Sequence, residues 1–533
     1  MIATLLTFFG LVLAAPQAVP PGATAGPAPA ATAPVTVRAA SPVVAGVARL
    51  AETWLRGWRF TEAEMLIGLL RVTAPNTREV VRVHARHLYL MGRYTAAQAL
   101  LQRHLGPGVQ SDLAARVAAA VAVVEPMVTH RSASGSFLIR CPRGTDEILL
   151  LYAEAVLERS RVALRDELGL VSDGPVRVEI LSGAEDLARV SPLRLEEVRR
   201  TGTTGLSQDH RIMLITPRAV ATGYGWADTL AHEYVHYVLE VKARHRVPLW
   251  LHEGLARFLQ QRWREPLPTA LEPLQRHRLA LGIRDRRLVS LRKMMPSFAK
   301  LKDHRQAALA YAQVASMILQ LHRAHGSAGL RLLVEGLAAG LGIDLALRGV
   351  TGGNLAQFVA RWKVRLVAQK LQPVPVYEPQ PRQFKQSSGT RPHKRTPFER
   401  FRRLGAILRG RARYGAAAVE YRKALAVVNG ADADTANTLA RVLLRLGKRS
   451  EAAQVITRAL PYGDQVAALH VVAARAAEGL GKHRRAEEHL WRANYIDPFD
   501  PEIHCALSRL LTRRAAPEAA RETAVCQQLN KEQ

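Results

Sequence analysis

Two histidines four residues apart, His232 and His236, stand in the run Trp226-Ala-Asp-Thr-Leu-Ala-His-Glu-Tyr-Val-His-Tyr-Val-Leu-Glu240. The run has helical character, and residues i and i+4 share a helix face with their Cβ atoms roughly 5–6 Å apart. Both imidazoles therefore reach one ion of zinc size. Glu233 projects about a third of a turn away. It is placed to take a proton from a metal-bound water rather than to join the same ion.

A catalytic zinc site holds three protein ligands and keeps one position for water. After the loop Val241–Val247, the stretch Pro248-Leu-Trp-Leu-His-Glu-Gly-Leu-Ala-Arg-Phe258 predicts a second helix, with Pro248 in its opening turn. Glu253, 17 positions beyond His236, is the third ligand on this reading. His252 competes for that role but points about 100° away on the helix, which makes it a surface histidine or one that supports a ligand from behind. Asp228, one turn before His232, is read as an exposed helix carboxylate, with support of a ligand as the alternative.

His-Glu-x-x-His followed by Pro-x-Trp-x-x-Glu-Gly-x-Ala resembles the gluzincin metallopeptidases, and within them the peptidase MA-like branch found in chains that also carry tetratricopeptide repeats. The resemblance runs from about Arg131 to Gln369. It implies an α+β, zincin-like domain with a small mixed sheet and active-site helices, one Zn2+ per chain on His232, His236 and Glu253, Glu233 as general base, and a peptide or protein substrate. It also implies an oxyanion donor downstream of the glutamate ligand. Tyr311, in the context Ala-Tyr-Ala-Gln, matches that position. A core tyrosine is the equal alternative, and His304 is a second candidate for the role.

At 533 residues the chain calls for about three domains. Leu5–Ala15 fits the apolar core of an export signal (residues 1–15), although no Lys or Arg precedes it and Arg38 is the first charged side chain. An Ala/Pro/Gly-rich tether follows over 16–43. The expected location is therefore periplasmic or secreted, with the N-terminal segment either cleaved or kept as an anchor. Helical repeats fill 44–130: Arg59-Phe-Thr-Glu-Ala63 recurs 34 residues later as Arg93-Tyr-Thr-Ala-Ala97. That period and those small residues resemble the tetratricopeptide repeat. The peptidase-like domain occupies 131–370, with strands at Ser136–Cys141, Pro175–Leu181 and Arg211–Pro217 and a helix at Asp146–Leu168. The proline closing the third strand suits a sheet edge; the resemblance implies that this strand lines the cleft beside the metal helix, where an extended peptide would add by backbone hydrogen bonds.

A Pro/Gln/basic linker spans 371–397, and repeats return over 398–533. Ala424, Ala459 and Ala493 follow one another at 35 and 34 residues, which counts three repeats and a final helix. The whole is predominantly helical, with repeat modules on both sides of the central domain suited to a protein partner. Three cysteines lack metal-site spacing. Cys505 and Cys526 either pair between neighbouring helices after export or stay buried thiols.

The net charge of +30 is spread along the chain and mixed with carboxylates on helix faces. No specific nucleic-acid face emerges, while attraction to an anionic envelope surface fits. The alternative to a peptidase is a non-catalytic scaffold that keeps the metal fold for assembly.

Overall fold

The computed structural model describes residues 38–105, 111–170, 174–295, 298, 301–373 and 396–531. The export signal, the tether up to residue 37 and linker residues 374–395 lie outside the described residues. Among the described residues no helix is long and apolar enough to cross a membrane.

The N-terminal repeats are two helical hairpins, Pro42–Arg56 with Phe60–Thr73 and Arg78–Leu90 with Tyr94–Leu105, followed by a helix at Asp112–Val124. Ser41 caps the first helix and Pro42 opens it. Ala51, Ala63, Ala85 and Ala97 are fully buried. Their small side chains let the paired helices approach closely, which explains why alanine recurs with the period.

The central sheet has five strands: β1 (Val128–Arg131), β2 (Phe137–Cys141), β3 (Val176–Leu181), β4 (Gly205–Gln208) and β5 (Arg211–Ile215), in the order β1-β2-β3-β5-β4. β2, β3 and β5 run parallel, while the outer strands β1 and β4 are antiparallel to their neighbours. The helix Leu149–Leu168 connects β2 to β3, entered by a tight turn at Thr145–Ile148. The third strand of the sequence reading, now β5, is therefore interior and not the edge. The edge is β4, joined to β5 through Asp209 and His210, both at positive φ, as a two-residue hairpin turn requires. Gly-Leu-Ser-Gln carries too few apolar residues to announce a strand. β1, Val-Thr-His-Arg, escaped for the same reason.

The alternation in Val176-Arg-Val-Glu-Ile-Leu181 points to one wet face, yet every residue of β3 is buried. The N-terminal repeat covers the polar face. The Tyr94 hydroxyl donates to Glu179 and accepts from Arg177 and Arg211, and Arg211 Nη1 lies 2.9 Å from Glu179 Oε2. Arg211 also donates to the Tyr89 hydroxyl at 2.9 Å. Buried charges persist only when paired and hydrogen-bonded, so this hairpin and the sheet stabilise one another.

The C-terminal region contains four hairpins among the described residues: Pro397–Gly410 with Tyr414–Val427, Ala433–Arg445 with Arg449–Gly463, Ala467–Gly479 with His483–Asn494, and Pro501–Arg513 with Ala519–Lys531. They open at Pro397, Ala433, Ala467 and Pro501, close to the period read from the sequence. Ala424, Ala459 and Ala493 are each fully buried on the second helix of the first three. The fourth hairpin has no such alanine, so the period missed one of its helices. A Cys505–Cys526 disulfide joins the fourth pair, and Cys141 is free and buried.

These last hairpins press against the central domain. The Tyr224 amide donates to the Ile496 carbonyl and the Trp226 indole to the Asn494 carbonyl, both at 3.1 Å. The Tyr152 hydroxyl donates to Glu522 at 2.9 Å.

Candidate metal centre

The histidine helix, Trp226–Ala243, is buried on most of its circumference and ends where Arg244 turns left-handed. The glutamate helix, Leu249–Leu259, starts after Pro248, which occupies the cap position. Gly254, beside Glu253, is required by packing. A Cβ there would meet Ile318 Cγ1 at 2.7 Å and the Val314 carbonyl oxygen at 3.2 Å. The helix His304–Ala338 therefore lies flat against the glutamate helix and presses it toward the histidines.

The result is convergence. His232 Nε2 and His236 Nε2 are 3.0 Å apart, and Glu253 Oε2 is 3.7 Å from the first and 3.6 Å from the second. An ion about 2.0–2.2 Å from each of three tetrahedral donors needs them roughly 3.3–3.6 Å apart. Glu253 Oε2 is also buried without a hydrogen-bond partner, and a buried carboxylate oxygen in that state calls for a cation. Burial would raise the Glu253 carboxyl, but the His236 and His232 imidazoles hold it well below the usual carboxylate range. Two imidazoles and one carboxylate fit zinc and leave a coordination position open.

The second ring nitrogens have partners of their own. His232 Nδ1 sits 3.2 Å from Gln260 Oε1, which assigns the proton to Nδ1 and turns Nε2 toward the triad. His236 Nδ1 faces His252 Nδ1 at 2.5 Å, and Glu240 Oε1 stands 3.1 Å behind His252 Nε2. His252 is buried, so of its two sequence readings the surface one is set aside. Gln260 went unremarked, although it lies seven residues after Glu253 and thus on the same helix face two turns on.

Glu233 is buried, and burial is the first cause that pushes its carboxyl up to about 7. The His232 imidazole opposes the rise and the Glu253 charge adds to it. The Ser207 backbone of edge strand β4 supplies a hydrogen bond. A Cβ at Gly205 of the same strand would come within 2.8 Å of Glu233 Cγ and Oε1. The edge strand thus lies directly over Glu233.

Asp228 departs from its reading. It is buried, paired with Arg264 at 2.6 Å and bonded to the Trp263 indole at 3.2 Å. Its hydrogen bonds go to Gln261, Trp263 and Arg264, so it ties the histidine helix to the turn after the glutamate helix. Tyr311 is half-buried on the long helix, edge-on to Phe298 with ring centroids 4.8 Å apart. It lies one turn before Val314, the residue in contact with Gly254. The His304 side chain lies outside the described residues.

A small mixed sheet, a histidine helix and a glutamate helix converging on three ligand atoms define a zincin-like metallohydrolase fold. Residues 146–368 match the Peptidase MA superfamily, and this segment with its His232/His236/Glu253 group is a domain of that superfamily. Among solved structures, yeast LTA4 hydrolase in complex with bestatin aligns at 11% identity and a TM-score of 0.28, over 76% of this chain and 67% of that one. A MamA RS-1 ArsTM double mutant aligns at 16% and 0.24, over 38% and 93%. Yeast Tom70 aligns at 10% and 0.23, over 92% and 89%. Scores this low add nothing to the family match. No curated protein matches the sequence.

Proposed function

We propose that the chain is an exported, zinc-dependent peptidase of the gluzincin type, with repeat modules that bind a protein partner or substrate. His232, His236 and Glu253 hold the ion, one per chain. When bound, zinc supplies Lewis acidity that makes water a nucleophile near neutral pH. Glu233 takes the proton during attack on the peptide carbonyl and returns it to the leaving amine. Burial holds the Glu233 carboxyl above the ordinary carboxylate range, the direction that suits a group which accepts a proton and then returns it. β4, as edge strand, offers its backbone to an extended substrate beside Glu233. Tyr311 is the proposed donor to the developing oxyanion.

One observation carries this reading: the buried Glu233 carboxylate beside the triad. Ligation alone has no need of it, and burying it is costly. The scaffold alternative leaves that cost unexplained. The disulfide in the last hairpin supports export to an oxidising compartment, and the charge of +30 suits an anionic envelope surface.

The test is Glu233→Gln, assayed for zinc content and for cleavage of a fluorogenic peptide library. Full zinc occupancy with cleavage lost is expected. Substantial turnover in the variant removes Glu233 as the base.

A further inference from the structure

His252 and Glu240 stand behind the metal triad, and the placement of ring protons decides what they do there. A neutral imidazole carries one N–H, so one ring nitrogen donates and the other accepts or ligates. His236 turns Nε2 toward His232 and Glu253, and as a ligand it keeps its proton on Nδ1. That nitrogen lies 2.5 Å from His252 Nδ1. Two N–H groups cannot face each other across such a gap, so His252 accepts there and carries its own proton on Nε2.

His252 Nε2 is buried and has no aligned hydrogen bond among the described residues. The Glu240 carboxylate stands beside it, with Oε1 3.1 Å away. A buried N–H needs an acceptor, and Glu240 is the group placed to be one.

The loop beyond the histidine helix holds Glu240 for this task. Arg244 and His245 both take left-handed φ, 49° and 63°, which residues other than glycine rarely adopt. The chain thereby turns back on its own helix. The His245 amide donates to Glu240 Oε2 at 3.1 Å, and the ring Nδ1 of the same residue comes within 2.5 Å of that oxygen. His245 Nε2 in turn lies 3.0 Å from the Arg56 carbonyl of the first repeat hairpin. With Oε2 taken, Oε1 is left for His252.

We propose that Glu240 is a positioning residue for the metal centre. It fixes the His252 proton on Nε2, keeps His252 Nδ1 an acceptor, and so holds His236 in the tautomer that presents Nε2 to the ion. This role rests on the proposed metal centre and is independent of hydrolysis.

The experiment measures the zinc affinity of the full chain, by competition with a chromophoric chelator, in wild type, Glu240→Ala, His252→Asn and the double variant. Asparagine carries its side-chain oxygen where histidine carries Nδ1, one bond beyond Cγ, and that oxygen accepts whatever Glu240 does. Glu240→Ala alone should weaken zinc binding by about 10–100-fold. In the His252→Asn background the same change should leave the affinity where it was. A role confined to shaping the helix end would weaken both backgrounds alike, as would misfolding. Equal loss in both backgrounds, or no loss in Glu240→Ala alone, overturns the proposal while the metal centre stands. A wild-type chain that binds no zinc overturns the metal centre itself and the proposal with it.

Discussion

Gly205→Ala tests how closely the edge strand controls Glu233, the proposed base. The added Cβ would stand 2.8 Å from Glu233 Cγ and Oε1 and 3.0 Å from Thr229 Cγ2. Carbon atoms rest about 3.5–4.0 Å apart at their optimum, so Glu233 or β4 must retreat by roughly 0.7–1 Å. The backbone at Gly205 tolerates alanine, since its φ is not in the left-handed range, and the strain falls on the contact alone. A misplacement of about 1 Å costs on the order of 10²-fold in rate, or about 2.7 kcal/mol of activation free energy. His232, His236 and Glu253 are untouched, so zinc occupancy should stay at the wild-type level. The assay pairs elemental analysis with initial rates on the fluorogenic peptide library. A wild-type rate at full zinc occupancy would refute the reasoning, because it would mean that the strand yields freely or that Glu233 is not the base.

Three further outcomes follow from other contacts. Tyr311→Phe should lower the hydrolysis rate by about 10²–10³-fold if its hydroxyl serves the oxyanion, whereas a rate unchanged from wild type returns Tyr311 to the core. Tyr94→Phe leaves buried Glu179 and Arg211 short of a partner and should cost about 2–3 kcal/mol in urea unfolding; a loss below about 0.5 kcal/mol would show that the network is dispensable. Asp464, facing Arg264, Arg492, His470, Asp228, Glu265 and Glu272, has a native pKa of about 6, above that of an unfolded carboxyl. The native state therefore holds an extra proton between the two values, so this group favours folding as pH falls below about 6 and opposes it above. Urea unfolding should show stability rising as pH falls through about 6, an increment that Asp464→Asn removes, and a profile identical in wild type and variant would overturn it.

What could be read without the structure was whatever local geometry decides. A helix places His232 and His236 on one face whatever surrounds it, and Glu253 on the next helix follows from the length of the intervening loop. Hairpin repeats likewise announce themselves, because each crossing needs a small residue at a constant interval, as Ala63 and Ala97 show. Turn positions such as Gly447 and Gly481, both at positive φ, are equally local.

What escaped depended on which surfaces meet. β4 is four residues of weak propensity, and only pairing with β5 and contact with the histidine helix make it the edge over Glu233. Arg177 and Glu179 alternate as if one face were wet, and only the tyrosines of a distant hairpin bury them. Asp228 looks like a surface carboxylate until Arg264 and Trp263 fold over it, and Gln260 gains its role only when His232 turns toward it. The seam between the last hairpins and the central domain belongs to neither module, since Tyr224 and Trp226 meet Ile496 and Asn494 only when the two pack together. The amino-acid sequence determines the ligands and the repeat period because backbone hydrogen bonds and side-chain spacing act within a few residues. The edge strand, the buried ion pairs and that seam come from tertiary structure alone, because desolvation and charge pairing depend on neighbours far apart in the chain.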